Sequence, residues 1–536
     1  MRLRIRPILV SLALILNSLL SNANSIEVSG LVSGSWEVDT VNIIGNIELR
    51  QAETLIINPG VIVMFHQDYY FRVSGSLKVL GNQDKPISFT IADTTSFNND
   101  TISDGGWKQI RIENISSNID SIIFNYCHFE YGKAVDEDSI HGYGGALCIR
   151  NANQIRISNC SFENNYAFYS GGGIYLENST IIVNNNLFKN NRCGQTTTYY
   201  GYGGGMCIDS SESLINHNYF TENSSTGIGG GLCVRFLDCP VFHNIFDNNY
   251  SALGGGFGIL HIDNCNFVIS NNLLINNTSL FFGAGISNNN CSPTYVNNTI
   301  ANNHCDGGGG GLYCKDSVAP ILYNNILYGN TQYGGQINQV YLWDRLSQPN
   351  FYYNNIQGGI ESFAGTGGAE FLGQYQNNIS EDPLFENESF SPSLQSPCIN
   401  TASPDTNGLM IPSMDLGVKI RLVDNNIDMG AYEQQRLLSI NSKPSFSDIK
   451  INRAWPNPSN SDIVIDFEIR KNEEITYYVT DINGTFLKEI DKIKYESGQH
   501  KIIWKLEDQP KKSGLYILIL KTPITTKHLK LVVSRQ

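Results

Sequence analysis

The chain has 536 residues, a formal net charge of −14 and 16% charged residues, where soluble domains average about 25%. That length fills one large core or several domains, and the acidic balance argues against a nucleic-acid partner. Residues 1–442 hold 20 Lys+Arg against 38 Asp+Glu, while residues 443–536 hold 16 against 12, a shift that marks a domain boundary.

The N-terminus reads as a secretory signal peptide over residues 1–24. Arg2, Arg4 and Arg6 precede an apolar run from Ile8 to Leu20, and Ser21 and Ala23 supply the small residues of a cleavage site. No Cys follows for lipid attachment. No other segment approaches the roughly 18 apolar residues of a spanning helix, so no transmembrane span is expected.

Residues 26–135 alternate apolar and polar positions and turn at glycines, as early, irregular coils would. From residue 144 the pattern becomes a repeat. "GGALCIRNANQIRISNCSFENN" returns as "GGGIYLENSTIIVNNNLFKNN", "GGGMCIDSSESLINHNYFTEN" and "GGGLCVRFLDCPVFHNIFDNN", then in three looser copies. The equivalent residues Phe162, Phe188, Phe220, Phe246, Leu274, Ile300 and Leu327 are 26 to 32 residues apart. A period in that range is the mark of a solenoid.

Each copy holds short strands such as "GIYLE", "IIVN" and "LFKN", separated by Gly and Asn, which tolerate positive φ at corners. Three strands and three corners per period predict one coil of a right-handed parallel β-helix. Ile174, Leu176, Ile182 and Leu187 or Phe188 are expected to point inward. Asn stacked on Asn is expected to form an amide ladder, and Trp107 to pack at an early corner. About a dozen coils through residue 357 predict a rod of roughly 60 Å at ~4.8 Å per strand. The fold class is all-β: a parallel β-helix over residues 25–435, a linker over 436–449, and a small antiparallel β-sandwich over 450–536.

The "GGAL" of Gly144 to Leu147 and the "FENN", "FKNN", "FTEN" and "FDNN" beginning at Phe162, Phe188, Phe220 and Phe246 resemble the repeats of polymorphic outer membrane proteins. That resemblance implies a bacterial surface β-helix, several such proteins being adhesins. The C-terminus departs from that family, having no β-barrel autotransporter. Residues 378–433, with "DPLF", "SPCIN" and "DMGAYE", are similar to the segment that closes many surface-anchored β-helices, and a closing cap over about 378–435 is expected. Asp382, Asp428 and Glu433 in it are candidates for catalysis or calcium binding, against a role as hydrogen-bonded polar groups of a cap.

The tail resembles the type A C-terminal sorting domain of the type IX secretion system. The matching positions are Pro456, Asn457 and Pro458 of "PNP", Gly484 in a turn, and Gly514 and Tyr516 of "GLY". The resemblance implies the type IX machinery as a partner, export across the outer membrane, and a final place at the outer cell surface.

Twelve cysteines in an exported chain raise the question of disulfides. Cys207 and Cys233 are 26 residues apart, as are Cys239, Cys265 and Cys291. That spacing stacks them on successive coils, as small buried ladders or as disulfides between coils. No CxxC pair points to zinc, no phosphate loop is present, and calcium has no motif, so no cofactor is expected.

β-Helices include pectate lyases, polygalacturonases and alginate epimerases. Arg150, Arg156 and Arg235 are available for a lyase, but no acidic cluster recurs beside them. The hydrolase and epimerase signatures are absent. The favoured reading is a surface-attached β-helix that binds a glycan or a surface, adhesin-like or structural. The alternative is a polysaccharide lyase or glycoside hydrolase of the pectin lyase-like fold. Two aromatic inserts, Cys193 to Gly204 and Tyr333 to Tyr353, lengthen their coils. Tyr199, Tyr200, Tyr202, Tyr341 and Trp343 are therefore the candidate ligand-binding residues.

Overall fold

The computed structural model describes residues 24–434 except 116–121, 137–140, 196–199, 237–238, 261–264, 266, 387–388, 404–408, 410 and 423–425. It also describes residues 449–533 except 458, 482–485, 506–513 and 522–525. Residues 1–23 of the signal peptide, 436–448 of the linker, Tyr199, Pro458 and Gly484 lie outside the described residues. The chain forms two compact units, Met1–Gln434 and Gln435–Gln536.

The first unit is a parallel solenoid. One of its sheets has 13 strands in coil order, from Gly34–Trp36 to Tyr375–Gln376, which corresponds to a rod of about 60 Å at ~4.8 Å per strand. Each regular coil has four strands rather than three. After Ile174–Glu177, Thr180–Asn184 and Leu187–Lys189 comes the two-residue strand Arg192–Cys193. Two residues are too few to show alternation, so the sequence concealed this side.

Phe89, Phe129, Phe162, Phe188, Phe220 and Phe246 form one stack of rings inside the tube, with centroids 4.6 to 5.0 Å apart. Such pairs contribute about 0.5–1.5 kcal/mol each beyond area burial. Leu274, Ile300, Leu327 and Ile356 continue the column in register. Trp107 is fully buried inside, stacked on Phe65 at 4.8 Å, and its indole N–H donates to Glu130 O. Ile174, Leu176 and Phe188 point inward, but Ile182 is 36% exposed, because Ile181 and Val183 take the inward phase.

The doubled asparagines divide two tasks. The first of each pair, such as Asn185, Asn190, Asn271 and Asn297, turns the chain at φ between 51° and 57°. The second is buried and joins a ladder. Asn186, Asn218, Asn244, Asn272, Asn298, Asn325, Asn354 and Asn378 each accept, through Oδ1, both the backbone and side-chain N–H of the preceding rung where one exists. A second ladder runs from Asn165 to Asn330. At the glycine corner, Gly229 has φ 73°, and a Cβ on Gly230 would press into the carbonyl oxygens of Gly255 and Tyr250.

The segment expected to close the open end does something else. After Asn378 the chain turns back and lies along the flank of the solenoid. Phe390 packs with Leu273, Ile275 and Ala301, while Cys398, Ile427 and Met429 pack with Ile326. Its polar contacts are with the turning residues of successive coils: Ser403 N–H donates to Asn324 Oδ1, Asn297 Nδ2 to Asp428 O, and Arg421 to Asn271 Oδ1. At the last coil the apolar interior is filled by Phe351, Phe363, Phe371 and Tyr375.

The second unit has two antiparallel sheets, Ile449–Trp455/Ile463–Ile469/Gly498–Trp504 and Phe486–Tyr495/Glu473–Asp481/Gly514–Lys521/Thr526–Val533. Phe467, Val479, Trp504 and Leu518 are buried in its core.

Candidate functional site

The strands that follow the glycine corner alternate strictly, so that Leu147 and Ile149 face in while Cys148 and Arg150 face out. Strand pairing carries one outward column from Arg72 through Arg111, Cys148, Tyr175, Cys207 and Cys233, and on to Tyr313 and Tyr341. The middle of this column is covered by Tyr202, Ile228 and Leu253, which bury Cys207 and Cys233 beneath them. Burial raises both Cys148, to about 12, and Cys207, so these thiols are not poised as nucleophiles. At the two ends of the column Arg72 is exposed and Tyr341 half-buried.

At the far end, Phe282, Tyr313, Tyr341 and Trp343 form a ring cluster. Phe282 stacks on Tyr313 at 5.0 Å, Trp343 meets Phe282 edge-on at 5.4 Å, and Tyr341 lies 6.4 Å from Trp343. Tyr313 is buried; Trp343 is 44% exposed. The structure therefore brings Tyr341 and Trp343 together and adds Phe282 and Tyr313, which sequence reasoning missed. Their signal was the register: Tyr313 is the outward residue one coil before Tyr341.

The structure does not bring Tyr200 and Tyr202 to that cluster. They precede the strand Met206–Asp209, five strand steps from Val340–Leu342, about 24 Å at ~4.8 Å per step. Tyr200 is exposed. Tyr202 stacks under the Arg235 guanidinium at 4.5 Å, and Arg235 pairs with Asp209 at 3.1 Å.

At the near end lies a cleft of about 540 Å³, lined by Tyr70, Arg72, Arg111, Glu113, His141 and Arg150 with Asn114 and Asn151. Arg111 pairs with Glu113 at 2.6 Å and Arg150 with Glu177 at 2.7 Å. The Arg150 guanidinium also lies over the rings of Tyr143 and Tyr175, at 5.1 and 5.4 Å. Of the three arginines named beforehand, only Arg150 lies in the cleft.

The carboxylates of the flanking segment are committed to structure. Asp428 accepts the N–H groups of Asn400 and Gln434, and Glu433 accepts Asp428 N–H and pairs with the buried Arg421 at 3.4 Å. Burial, then the neighbouring Asp428, pushes Glu433 up to about 8. Asp382 caps its own turn through Leu384 N–H. Among the described residues no group of three or more His, Cys, Asp or Glu could hold a metal ion, and no helix is long and apolar enough to cross a membrane. Cys265 and Cys291 form a disulfide between adjacent coils; Cys239, one coil earlier, is a buried thiol. The stacked cysteines thus divide between ladder and disulfide.

In the second unit, Asn457 fastens the loop after the first strand to the last strand. Its Nδ2 donates to Lys530 O at 2.9 Å, and its Oδ1 accepts Val532 N–H at 2.7 Å. Gly514 opens the strand that carries Tyr516, a buried ring edge-on to Trp504 at 5.8 Å.

Fold and tail together define a secreted parallel β-solenoid that carries a C-terminal export domain. Residues 76–235 match the family model of the right handed beta helix region, and residues 453–534 match that of the secretion system C-terminal sorting domain. No curated protein matches the chain. The protein is exported through the type IX system by its sorting tail.

Proposed function

We propose that the exported solenoid is attached to the cell surface and binds glycans on its outer face, with the ring cluster at Trp343 as the stacking platform. The observation that carries this reading is a Trp left 44% exposed although three other rings hold it in place. An exposed ring fixed by neighbours offers area to a sugar at little entropic cost. A glycan array probed with the mature chain and with Trp343→Ala tests this. The expected result is retention of one glycan class, weakened about tenfold in the variant, or roughly 1.4 kcal/mol. No retained glycan, or equal retention, overturns it.

The competing reading, a polysaccharide lyase, draws support from His141 and Tyr70 lining one cleft with three arginines. On the binding reading, pectin, polygalacturonate and alginate stay unchanged when incubated with the protein and calcium. Unsaturated uronide absorbance that vanishes in His141→Ala would favour the lyase.

A further inference from the structure

We propose that the cleft between Arg72, Arg111 and Arg150 is an anion-binding subsite that takes the carboxylate or sulfate group of an acidic saccharide. The inference rests on reading this face as glycan-binding only for its choice of probes.

Three observations meet there. Strand pairing sets Arg72 between Glu48 on the preceding coil and Arg111 on the next, and the like charges of the second pair disfavour each other. The cleft lining carries three guanidinium groups and one carboxylate, Glu113, on a chain whose formal net charge is −14. Glu113 pairs with Arg111 and Glu177 with Arg150, which leaves Arg72 as the lining arginine outside those two ion pairs. Finally, Arg111 is 9% exposed and its Nε has no hydrogen-bond partner, although its Nη2 is bound to Glu113. A buried guanidinium N–H without an acceptor is costly, and an arriving oxyanion would satisfy it by a charge-assisted bond.

The outward column puts this cleft and the ring platform on one face, eight strand steps apart, about 38 Å at ~4.8 Å per step. A short anionic probe cannot reach both.

The experiment measures binding of digalacturonate, a sulfated disaccharide and a neutral disaccharide to the mature chain by calorimetry. Variants are Arg111→Gln, Arg72→Gln and, as a control arginine already paired with Asp209, Arg235→Gln. At least one anionic probe should bind better than the neutral one, and which of them binds separates carboxylate from sulfate recognition. Arg111→Gln and Arg72→Gln should each weaken it about tenfold, the scale of one lost charge-assisted contact. Arg235→Gln should leave it unchanged. Arg72 is exposed, so its variant remains informative if Arg111→Gln fails to fold. Equal weak binding of all three probes, or unchanged binding in Arg72→Gln, overturns the proposal, as does loss of binding in Arg235→Gln. Anion binding with an empty glycan array would retain this subsite while removing the platform reading.

Discussion

Replacing Asn244 by Ala removes one rung from the middle of the longer amide ladder. Its Oδ1 accepts both the backbone and the side-chain N–H of Asn218, at 2.9 and 3.0 Å, and its Nδ2 donates to Ile215 O, Phe242 O and Asn272 Oδ1. Asn218 Nδ2 keeps a second acceptor in Val183 O. The Asn218 backbone N–H keeps none and is buried, which costs about 1–3 kcal/mol. Weakening the remaining contacts adds about 0.5–1.5 kcal/mol. A total near 3 kcal/mol is expected. Urea unfolding of the mature chain, followed by circular dichroism, reads it, with the exposed Gln376→Ala as a control expected within about 0.5 kcal/mol of wild type. Because a solenoid can unfold in parts, hydrogen exchange at the Asn218 amide gives a local reading. If that amide stays as protected in Asn244→Ala as in wild type, the ladder carries no stability and the reasoning fails.

Gly230→Val should destabilise the fold by well over 1 kcal/mol, since the new side chain meets backbone oxygens of the next coil that cannot retreat; a melting temperature equal to wild type would refute the corner assignment. Glu433, raised to about 8 by burial and Asp428, holds a proton when docked that it loses when released. Docking of the flank segment should therefore weaken as pH rises from about 5 to about 8, and Glu433→Gln should flatten that dependence in limited proteolysis. Removing residues 448–536 should leave a folded solenoid in the periplasm, and fusing those residues to an unrelated signal-bearing protein should bring it to the surface. Fractionation with surface protease accessibility decides, and a displayed truncation or a retained fusion contradicts the assignment.

The solenoid was legible because every coil solves the same local problem. Glycine where two backbones nearly touch, and asparagine where the chain turns or stacks, leave a period visible by eye. Ile182 was misplaced because "IIV" offers two phases of alternation and nothing within the strand chooses between them. The flank segment was recognisable as a closing element, yet its destination depends on contacts more than 100 residues away, such as Arg421 to Asn271. The cleft was invisible for a related reason. Arg72 and Arg111 are 39 residues apart, outside the period, because residues 93–106 form a side loop anchored by Lys133 Nζ on the carbonyls of Ser96, Asn99 and Asp104.

The returning segment grips coils from His243 onward. In doing so it fixes their number, since adding or deleting one would put Asn271, Asn297 and Asn324 out of step with their partners. The side loop holds Lys133 and, through Asp100 and Phe97, Arg192 in the same way, so among the described residues the coils without such a restraint lie between residues 193 and 240. Whole-coil duplications can accumulate there, each moving the basic cleft about 4.8 Å further from the aromatic platform. The gap between the two ends of the outer face is thus a length that gene duplication can set in discrete steps, while the platform and the gripped coils beside it stay as they are.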